Sequence, residues 1–209
     1  MGAAALRFGP IDVLFDDGVL RPRLWTLAQA QWAAELAGDG VMLELGCGAG
    51  HIGLAAAALS GARLVQVDVD PAACRWAERN AAANGLEDRV EQRCGTVDDV
   101  LAGDERFGIV IADPPYVPSS EVHLYPDDPL AASDGGPDGL DCVRSFLTGV
   151  VDHVDPDGSV VLQLRGLAQV DELQTWLGGP SSPPFSVAEA RPYGDVRALA
   201  RLAVRATAA

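Results

Sequence analysis

Residues 41–60 read VMLELGCGAGHIGLAAAALS, a short apolar run that leads through three alternating glycines into an alanine-rich stretch. The apolar run has the composition of a buried parallel strand, and the alanine-rich stretch that of a helix. The same alternation continues along the chain and predicts an α/β fold. Strands are predicted at 41–45, 63–68, 89–94, 108–112 and 158–164, and helices at 24–37, 50–60, 71–84, 141–152 and 167–177.

After Gly178 the pattern changes to an alternation of apolar and polar residues. The runs 186–190 and 197–204 flank a turn at 192–195, which predicts an antiparallel hairpin. We therefore expect one domain over residues 1–209, made of an N-terminal segment and helix at 1–40, an α/β core at 41–177 and a closing hairpin at 184–205.

Residues 113–140 lie inside this core but show no periodicity. A loop of that length is uncommon in a compact domain unless it has a function. We predict that it forms a lid on the substrate side.

The composition limits the classes of partner and cellular setting. Thirty acidic against fifteen basic residues give a formal net charge of −15, which repels phosphate backbones and anionic lipid. Neither nucleic acid nor a membrane is therefore expected as a partner. No apolar stretch is long enough to span a bilayer or to direct export, and the four cysteines form no CxxC pair. We expect a soluble, cytoplasmic protein without a metal site, and the oligomeric state stays open.

The glycines at 46, 48 and 50 suit a nucleotide-binding turn. They allow close approach of a ligand, and the helix that follows directs free N–H groups and its positive dipole end at that ligand. Asp68 ends the second predicted strand, where a carboxylate can accept hydrogen bonds from two ribose hydroxyls. Asp70 precedes Pro71 and is predicted to cap the next helix. This layout also suits a dinucleotide dehydrogenase, which remains an alternative.

Glu44 favours one ligand over the other. An acidic group two residues before the first glycine suits the cationic amino-acid end of S-adenosyl-L-methionine better than an anionic pyrophosphate. The alternative for Glu44 is a salt-bridged strand end. The predicted cofactor-binding residues are Glu44, Gly46, Cys47, Gly48, Gly50, Asp68, Val69, Thr96, Val97 and Asp113.

The predicted strand 108–112 leads directly into Asp113-Pro114-Pro115-Tyr116. Two prolines fix φ and lack N–H groups, so this backbone is rigid and its carbonyls are free to accept from a substrate amino group. The Tyr116 ring can stack on a planar acceptor. We predict Asp113, Pro114 and Tyr116 as catalytic residues, and all four as substrate-binding residues.

With these motifs the chain resembles the HemK/PrmC glutamine methyltransferases, in particular short relatives that lack an N-terminal domain. The resemblance implies a Rossmann-like, seven-stranded class I methyltransferase sheet with a C-terminal antiparallel hairpin. It also implies S-adenosyl-L-methionine as methyl donor, S-adenosyl-L-homocysteine as product and a protein glutamine as acceptor. Further matching positions are Arg21-Pro22-Arg23, Thr26, Val117-Pro118, 128–131, 135–141, Arg144, Tyr193-Gly194-Asp195 and Arg197.

Three positions depart from the family pattern. Asp113 stands where the family usually has Asn, residues 95–97 replace an acidic residue near the adenine, and residues 163–166 replace Leu-Glu-x-Gly. Asn matches both the carbonyl and the N–H of a glutamine amide, whereas an ionised Asp can only accept. The mismatch costs about 1–3 kcal/mol per unmade buried bond.

The change at Asp113 keeps other acceptors open. A small-molecule amine or guanidine, or a basic side chain, offers only donors and suits an ionised Asp. A protonated Asp113 would instead donate as Asn does, which suits glutamine. A non-catalytic protein that binds S-adenosyl-L-methionine is a further alternative.

Overall fold

A mixed sheet of seven strands forms the centre of the computed structural model, which describes residues 3–126, 128–194 and 196–205. Two further strands, β1 (Ala4–Phe8) and β2 (Ile11–Phe15), form a separate two-stranded sheet. The strands of the large sheet are β3 (Val41–Leu45), β4 (Arg63–Asp68), β5 (Val90–Cys94), β6 (Phe107–Ala112), β7 (Val154–Leu164), β8 (Phe185–Pro192) and β9 (Ala198–Val204). The α-helices are α1 (Leu27–Leu36), α2 (His51–Ser60), α3 (Pro71–Ala83), α4 (Val97–Val100), α5 (Leu130–Ser133), α6 (Asp141–Val150) and α7 (Leu167–Leu177).

The strand order in the large sheet is β5-β4-β3-β6-β7-β9-β8. The first five of these strands are parallel, while β9 runs antiparallel to both β7 and β8. The predicted seven-stranded sheet with a closing hairpin is thereby confirmed. The antiparallel strand β9, placed between β7 and β8, also departs from the 3-2-1-4-5-6 order of dinucleotide-binding folds.

Alternate residues of the central strands point into two apolar layers. Met42 and Ile111 pack with helices α1, α2 and α3 on one face. Leu43 and Val110 pack with helices α6 and α7 on the other face. Burial on both faces explains why these strands appear in the sequence as continuous apolar runs. Both layers hold the carboxyl ends of β3, β4 and β6 in place, where the predicted site residues lie.

Residues 1–40, expected to be a segment and a helix, contain a β-hairpin formed by β1 and β2. Asn80 on α3 and Asn84, which caps the C-terminal end of α3, attach this hairpin to the core. Asn80 exchanges two backbone hydrogen bonds with Leu14, both of 2.8 Å, and Asn84 does the same with Asp12 at 2.9 and 2.8 Å. The two side-chain amides thus form the hydrogen bonds that the backbone of a neighbouring strand would otherwise form with β2.

The other predicted elements differ mainly at their ends. The helix expected at 24–37 begins as a 3-10 turn over Leu24–Thr26, and Leu24 is 58% exposed rather than packed on the sheet. Asp70 caps α3 as predicted, accepting from Ala72 N at 2.8 Å. The segment 113–140 contains a 3-10 helix at Ser119–Leu124 and the short helix α5.

The predicted turn at 192–195 joins β8 to β9, and its Asp195 lies outside the described residues. Within the described ranges no helix has the length and apolar character required to cross a membrane.

Candidate active site

The glycine loop, residues 46–50, connects β3 to α2. Gly46, Gly48 and Gly50 have φ values of +64°, +55° and +79°, which is the left-handed region that side chains with a Cβ avoid. At Gly50 a Cβ would also lie 2.9 Å from the Gln66 side chain. The loop therefore requires glycine both for its conformation and for its close packing.

Most of the N–H groups in this loop donate inside the protein. Gly46 N and Cys47 N donate to Val67 O at 2.9 and 3.2 Å, and Gly50 N donates to Cys47 O at 2.8 Å. Gly48 N donates to Asp68 Oδ2 at 2.9 Å. These bonds fix the path of the loop, so it can present a preformed surface to a ligand.

Glu44 does not reach a pocket surface. Its side chain is 2% exposed and lies between β3 and α2, where it accepts from Gly53 N at 3.0 Å and from Gln66 Nε2 at 2.5 Å. Burial raises the pKa of this carboxyl to about 7. This placement differs from the prediction that Glu44 faces the cofactor, because the carboxyl supports the glycine loop from behind: Gln66 Nε2 also donates to Gly50 O at 3.0 Å.

Asp68 lies at the carboxyl end of β4 with both oxygens oriented by backbone donors. Oδ2 accepts from Gly48 N and Oδ1 from Asp70 N, each at 2.9 Å. A carboxylate oxygen has two lone pairs, so both oxygens retain capacity for a pair of ligand hydroxyls. The side chain is half-buried and faces a pocket.

A pocket of about 380 Å³, here the glycine-loop pocket, opens beside Asp68. Five predicted cofactor-binding residues line it, whereas Glu44, Cys47, Gly48, Gly50 and Asp113 do not. Cys47 is buried, and this burial raises the pKa of its thiol. The lining residues are Leu45, Gly46, Val67, Asp68, Val69, Gly95, Thr96, Val97, Asp98, Ser145, Phe146 and Gly149.

The sequence reasoning missed Asp98 and Phe146 in this lining. Asp98 supplies an acidic residue one position after the Gly95-Thr96-Val97 segment that was judged to lack one. Phe146 comes from α6 and closes over the loop, since a Cβ on Gly46 would lie 3.3 Å from its ring. Thr96 donates its hydroxyl to Asp99 at 2.7 Å.

A second pocket of about 240 Å³, here the Asp113 pocket, shares no lining residue with the first. Leu45 and Ala112 are register partners on β3 and β6, so the glycine loop and Asp113 leave the sheet side by side. The lining residues are Leu20, Arg23, Trp25, Asp113, Pro114, Tyr116, Val117, Tyr125, Asp128, Ala132, Ser133, Arg165, Val196 and Arg197.

Asp113 is half-buried, and no described residue donates a hydrogen bond to its carboxyl. Burial raises its pKa to about 7. Burial likewise raises the pKa of the Tyr116 phenol, so this side chain stays neutral at physiological pH. The pocket therefore contains a carboxyl group that is partly protonated near neutral pH and is available to a ligand.

The backbone around Asp113 is held at both ends. We call residues 113–116 the Asp113 loop. Ala112 O, just before it, accepts from Gln29 Nε2 at 2.9 Å, and Tyr116 O, at its end, accepts from Gln169 Nε2 at 3.0 Å. The carbonyls of Asp113 and Pro114 accept no hydrogen bond from any described residue.

The remaining walls of the Asp113 pocket contain three arginines to which the sequence motifs assigned no role. Arg23 forms an ion pair with Asp128 of the lid, and Arg165 forms one with Glu121. Arg197 stacks on the Trp25 ring, with its guanidinium carbon 3.9 Å from the ring centroid. Segment 113–140, the predicted lid, is thus joined to the core by ion pairs on two sides of the pocket.

A larger groove of about 500 Å³ lies at the opposite edge of the sheet, where β3, β4 and β6 begin. Its walls are charged side chains, including Arg63, Arg93 and Glu105. It contains none of the predicted site residues. In open α/β sheets ligands bind at the carboxyl ends of the strands, so the two smaller pockets are the candidate site.

In sequence, the chain is similar to known methyltransferases. Residues 29–125 match the family model of the methyltransferase small domain. A release factor glutamine methyltransferase from Geobacter sulfurreducens is 33% identical over 171 residues, covering 78% of this chain and 59% of that protein. A ribosomal protein uL3 glutamine methyltransferase from Bradyrhizobium diazoefficiens is 36% identical over 137 residues, covering 63% and 43%. The chain therefore spans less than two thirds of the length of these relatives.

Solved structures share the fold at low sequence identity. The ribosomal protein L11 methylase from Lactobacillus delbrueckii subsp. bulgaricus has a TM-score of 0.66 at 16% identity, covering 91% of this chain and 83% of that one. An RNA methyltransferase from Salinibacter ruber, in complex with S-adenosyl-L-homocysteine, has a TM-score of 0.58 at 19% identity, covering 91% and 97%. Together, these comparisons show that part of the chain matches the methyltransferase small domain, that its sequence is similar to glutamine methyltransferases over part of their length, and that its fold is shared with solved methyltransferases.

Proposed function

We propose that this protein transfers the methyl group of S-adenosyl-L-methionine to the side-chain amide nitrogen of a glutamine in another protein. The relatives with glutamine methyltransferase names support the reaction, and the Asp113 pocket supports the acceptor. One observation carries the proposal: a half-buried carboxyl with a pKa near 7 and no described donor faces this pocket.

The glycine-loop pocket fits the adenosine part of the methyl donor. Its volume of about 380 Å³ lies within the range of about 300–1,000 Å³ for small-molecule sites. Asp68 would accept from the ribose hydroxyls, and Phe146 would lie near the adenosine. The bound donor supplies an electrophilic methyl group on a sulfonium. The retained capacity of both Asp68 oxygens is what the donor's ribose requires.

The Asp113 loop would bind and aim the acceptor. A protonated Asp113 donates to the glutamine carbonyl oxygen, while the free carbonyl of Pro114 accepts from the amide N–H. The Tyr116 ring lines the same pocket and can lie against the planar amide. Methyl transfer is an in-line displacement in which the nitrogen gains the methyl group and gives up one proton to solvent, so aiming the nitrogen is the main task of these residues. A protonated Asp113 removes the mismatch that an ionised Asp would create with glutamine.

An ionised Asp113 would instead favour a methyl acceptor that offers only hydrogen-bond donors, such as an amine. The pH dependence of turnover distinguishes the amine acceptor from the glutamine acceptor.

The setting we propose is the cytoplasm, because Cys47, Cys74, Cys94 and Cys142 are free thiols. The formal charge of −15 favours a protein partner over nucleic acid.

The test is direct. The purified protein is incubated with methyl-labelled S-adenosyl-L-methionine and, in parallel, with the release factor of the same organism, ribosomal protein uL3 and a panel of free amines. We expect label on one glutamine of a protein acceptor, located by peptide mass spectrometry. Label on a free amine alone, with both proteins unlabelled, would refute glutamine as the acceptor.

A further inference from the structure

Gln169 joins three segments around the Asp113 pocket. It lies in the first turn of α7 and is 6% exposed. Its Nε2 donates to Tyr116 O at 3.0 Å and lies 3.3 Å from Gly139 O, at the end of the lid. Its Oε1 accepts from Arg165 N at 2.9 Å. One amide therefore connects the Asp113 loop, the lid and the loop that carries Arg165.

The direction of each hydrogen bond requires an amide at this position. The Nε2 group faces the carbonyl oxygens of Tyr116, Asp138 and Gly139, so it has to be a donor. The Oε1 atom faces a backbone N–H, so it has to be an acceptor. A glutamate would keep the acceptor and place a second oxygen against carbonyl oxygens, which removes the donor and adds repulsion.

Gln169 and Gln29 hold opposite ends of the Asp113 loop. Gln29 Nε2 donates to Ala112 O at 2.9 Å and to Val161 O at 3.0 Å. Pro114 and Pro115 have fixed φ angles, so these two residues keep backbone freedom only in ψ. With both ends bonded, rotation of the Pro114 carbonyl is restrained. The Asp113 and Pro114 carbonyls, which accept from no described residue, would face the acceptor in the proposed reaction.

We propose that Gln169 is a positioning residue for methyl transfer, which sets the direction of the Pro114 carbonyl and of the Tyr116 ring through its bond to Tyr116 O. The inference rests on the proposed function. Gln169 lines neither of the two pockets, so its effect on turnover has to pass through the Asp113 loop. A small misplacement of aligned groups is sufficient to slow a displacement reaction about 100-fold.

The experiment compares Gln169→Glu with Gln174→Glu on the same helix. Gln174 is an exposed residue whose Oε1 accepts from Val187 N at 2.9 Å, away from both pockets. Both variants are assayed with S-adenosyl-L-methionine and the purified release factor. Calorimetric titration with S-adenosyl-L-homocysteine reports whether the glycine-loop pocket is intact. Gln169→Met, which keeps the length of the side chain, is measured in parallel.

For Gln169→Glu and Gln169→Met we expect kcat to fall about 10- to 100-fold. The Kd for S-adenosyl-L-homocysteine and the KM for the release factor should change less than about threefold, because a positioning defect acts in the transition state. Gln174→Glu should match the wild type in all three quantities.

Three results would overturn the inference. Wild-type kcat in both Gln169 variants would show that the bond to Tyr116 O does not matter. Parallel loss of S-adenosyl-L-homocysteine binding, or failure of both variants to fold, would show a structural role only. A wild-type protein that leaves every protein acceptor unlabelled refutes the proposed function itself, whereas an active wild type with equally active variants refutes the inference alone.

Discussion

Replacement of Asp113 by Asn tests the chemistry of the acceptor pocket most directly. The Asp113 carboxyl has no donor among the described residues, and burial raises its pKa to about 7. If the acceptor is glutamine, the protonated carboxyl is the active form, since it donates to the amide carbonyl oxygen. Asn donates in the same way at every pH. The variant should therefore remove the pH dependence and keep the activity.

The size of the effect follows from the raised pKa. A group with a pKa of about 7 is about nine-tenths protonated at pH 6 and about one-tenth protonated at pH 8. Wild-type turnover on glutamine should fall about tenfold between these pH values. The Asp113→Asn variant should be flat over this range and exceed the wild type about tenfold at pH 8.

The assay is single-turnover transfer of labelled methyl to the release factor at pH values from 6 to 8. Glu44 is a second buried carboxyl with a pKa near 7, so Glu44→Gln is measured alongside. A pH profile in Asp113→Asn that matches the wild type would assign the titration to Glu44 and refute the reasoning. Wild-type turnover that rises with pH, with an inactive Asp113→Asn, would instead indicate a donor-only acceptor.

Four further outcomes are expected. S-adenosyl-L-homocysteine at 100 times its Kd should stabilise the fold by about 2.7 kcal/mol in thermal unfolding while NAD does not, and Asp68→Ala should remove most of that gain because the ribose loses its acceptor. Tyr116→Ala should lower kcat more than it weakens cofactor binding, measured by calorimetry. Gly53→Ala should destabilise the protein by about 1–3 kcal/mol, since its Cβ would contact the Glu44 carboxyl. The wild type should lose stability relative to Asp113→Asn as pH rises from about 4 to about 7, because the folded pKa of Asp113 exceeds its unfolded value and its carboxyl binds more protons in the native state in that window.

Each of these expectations has a distinct contrary result. Equal stabilisation by NAD would contradict the methyl-donor assignment. Loss of cofactor binding in a folded Tyr116→Ala protein would show that the Tyr116 ring contacts the cofactor rather than the acceptor. An unchanged melting temperature in Gly53→Ala would mean that Glu44 moves aside at no cost. A free energy of unfolding that differs between the wild type and Asp113→Asn by the same amount at every pH, measured in urea titrations, would show that the Asp113 carboxyl is not desolvated.

The order of strands and helices around the site was predictable because its signals are local. The apolar run at 41–45 and the Asp70-Pro71 cap each lie within a few residues of the element they define. The hairpin β1–β2 was missed, although Ile11, Val13 and Phe15 alternate after a Gly-Pro pair. Two strands of five residues carry too short an alternation to stand out.

The candidate site was only partly predictable, because the local sequence shows neither which way a side chain points nor which distant residues it contacts. Alternation places Glu44 on the same face of β3 as Met42, but it does not say which face borders a pocket. Gln169 had no signal at all, since its partners Tyr116 and Gly139 lie 53 and 30 residues away. The four-residue Asp113 motif, by contrast, was readable as a unit.

The attachment of the hairpin has a consequence for measurements on the whole molecule. Asn80 Nδ2 donates to Ala49 O of the glycine loop at 2.9 Å as well as to Leu14 O. Opening of the hairpin and relaxation of the loop therefore break bonds to one shared amide. We expect a ligand that stabilises the loop to slow solvent exchange of the Leu14 amide proton, although Leu14 lines neither pocket. Hydrogen–deuterium exchange at β2 thereby reports occupancy of the site without a label on the ligand.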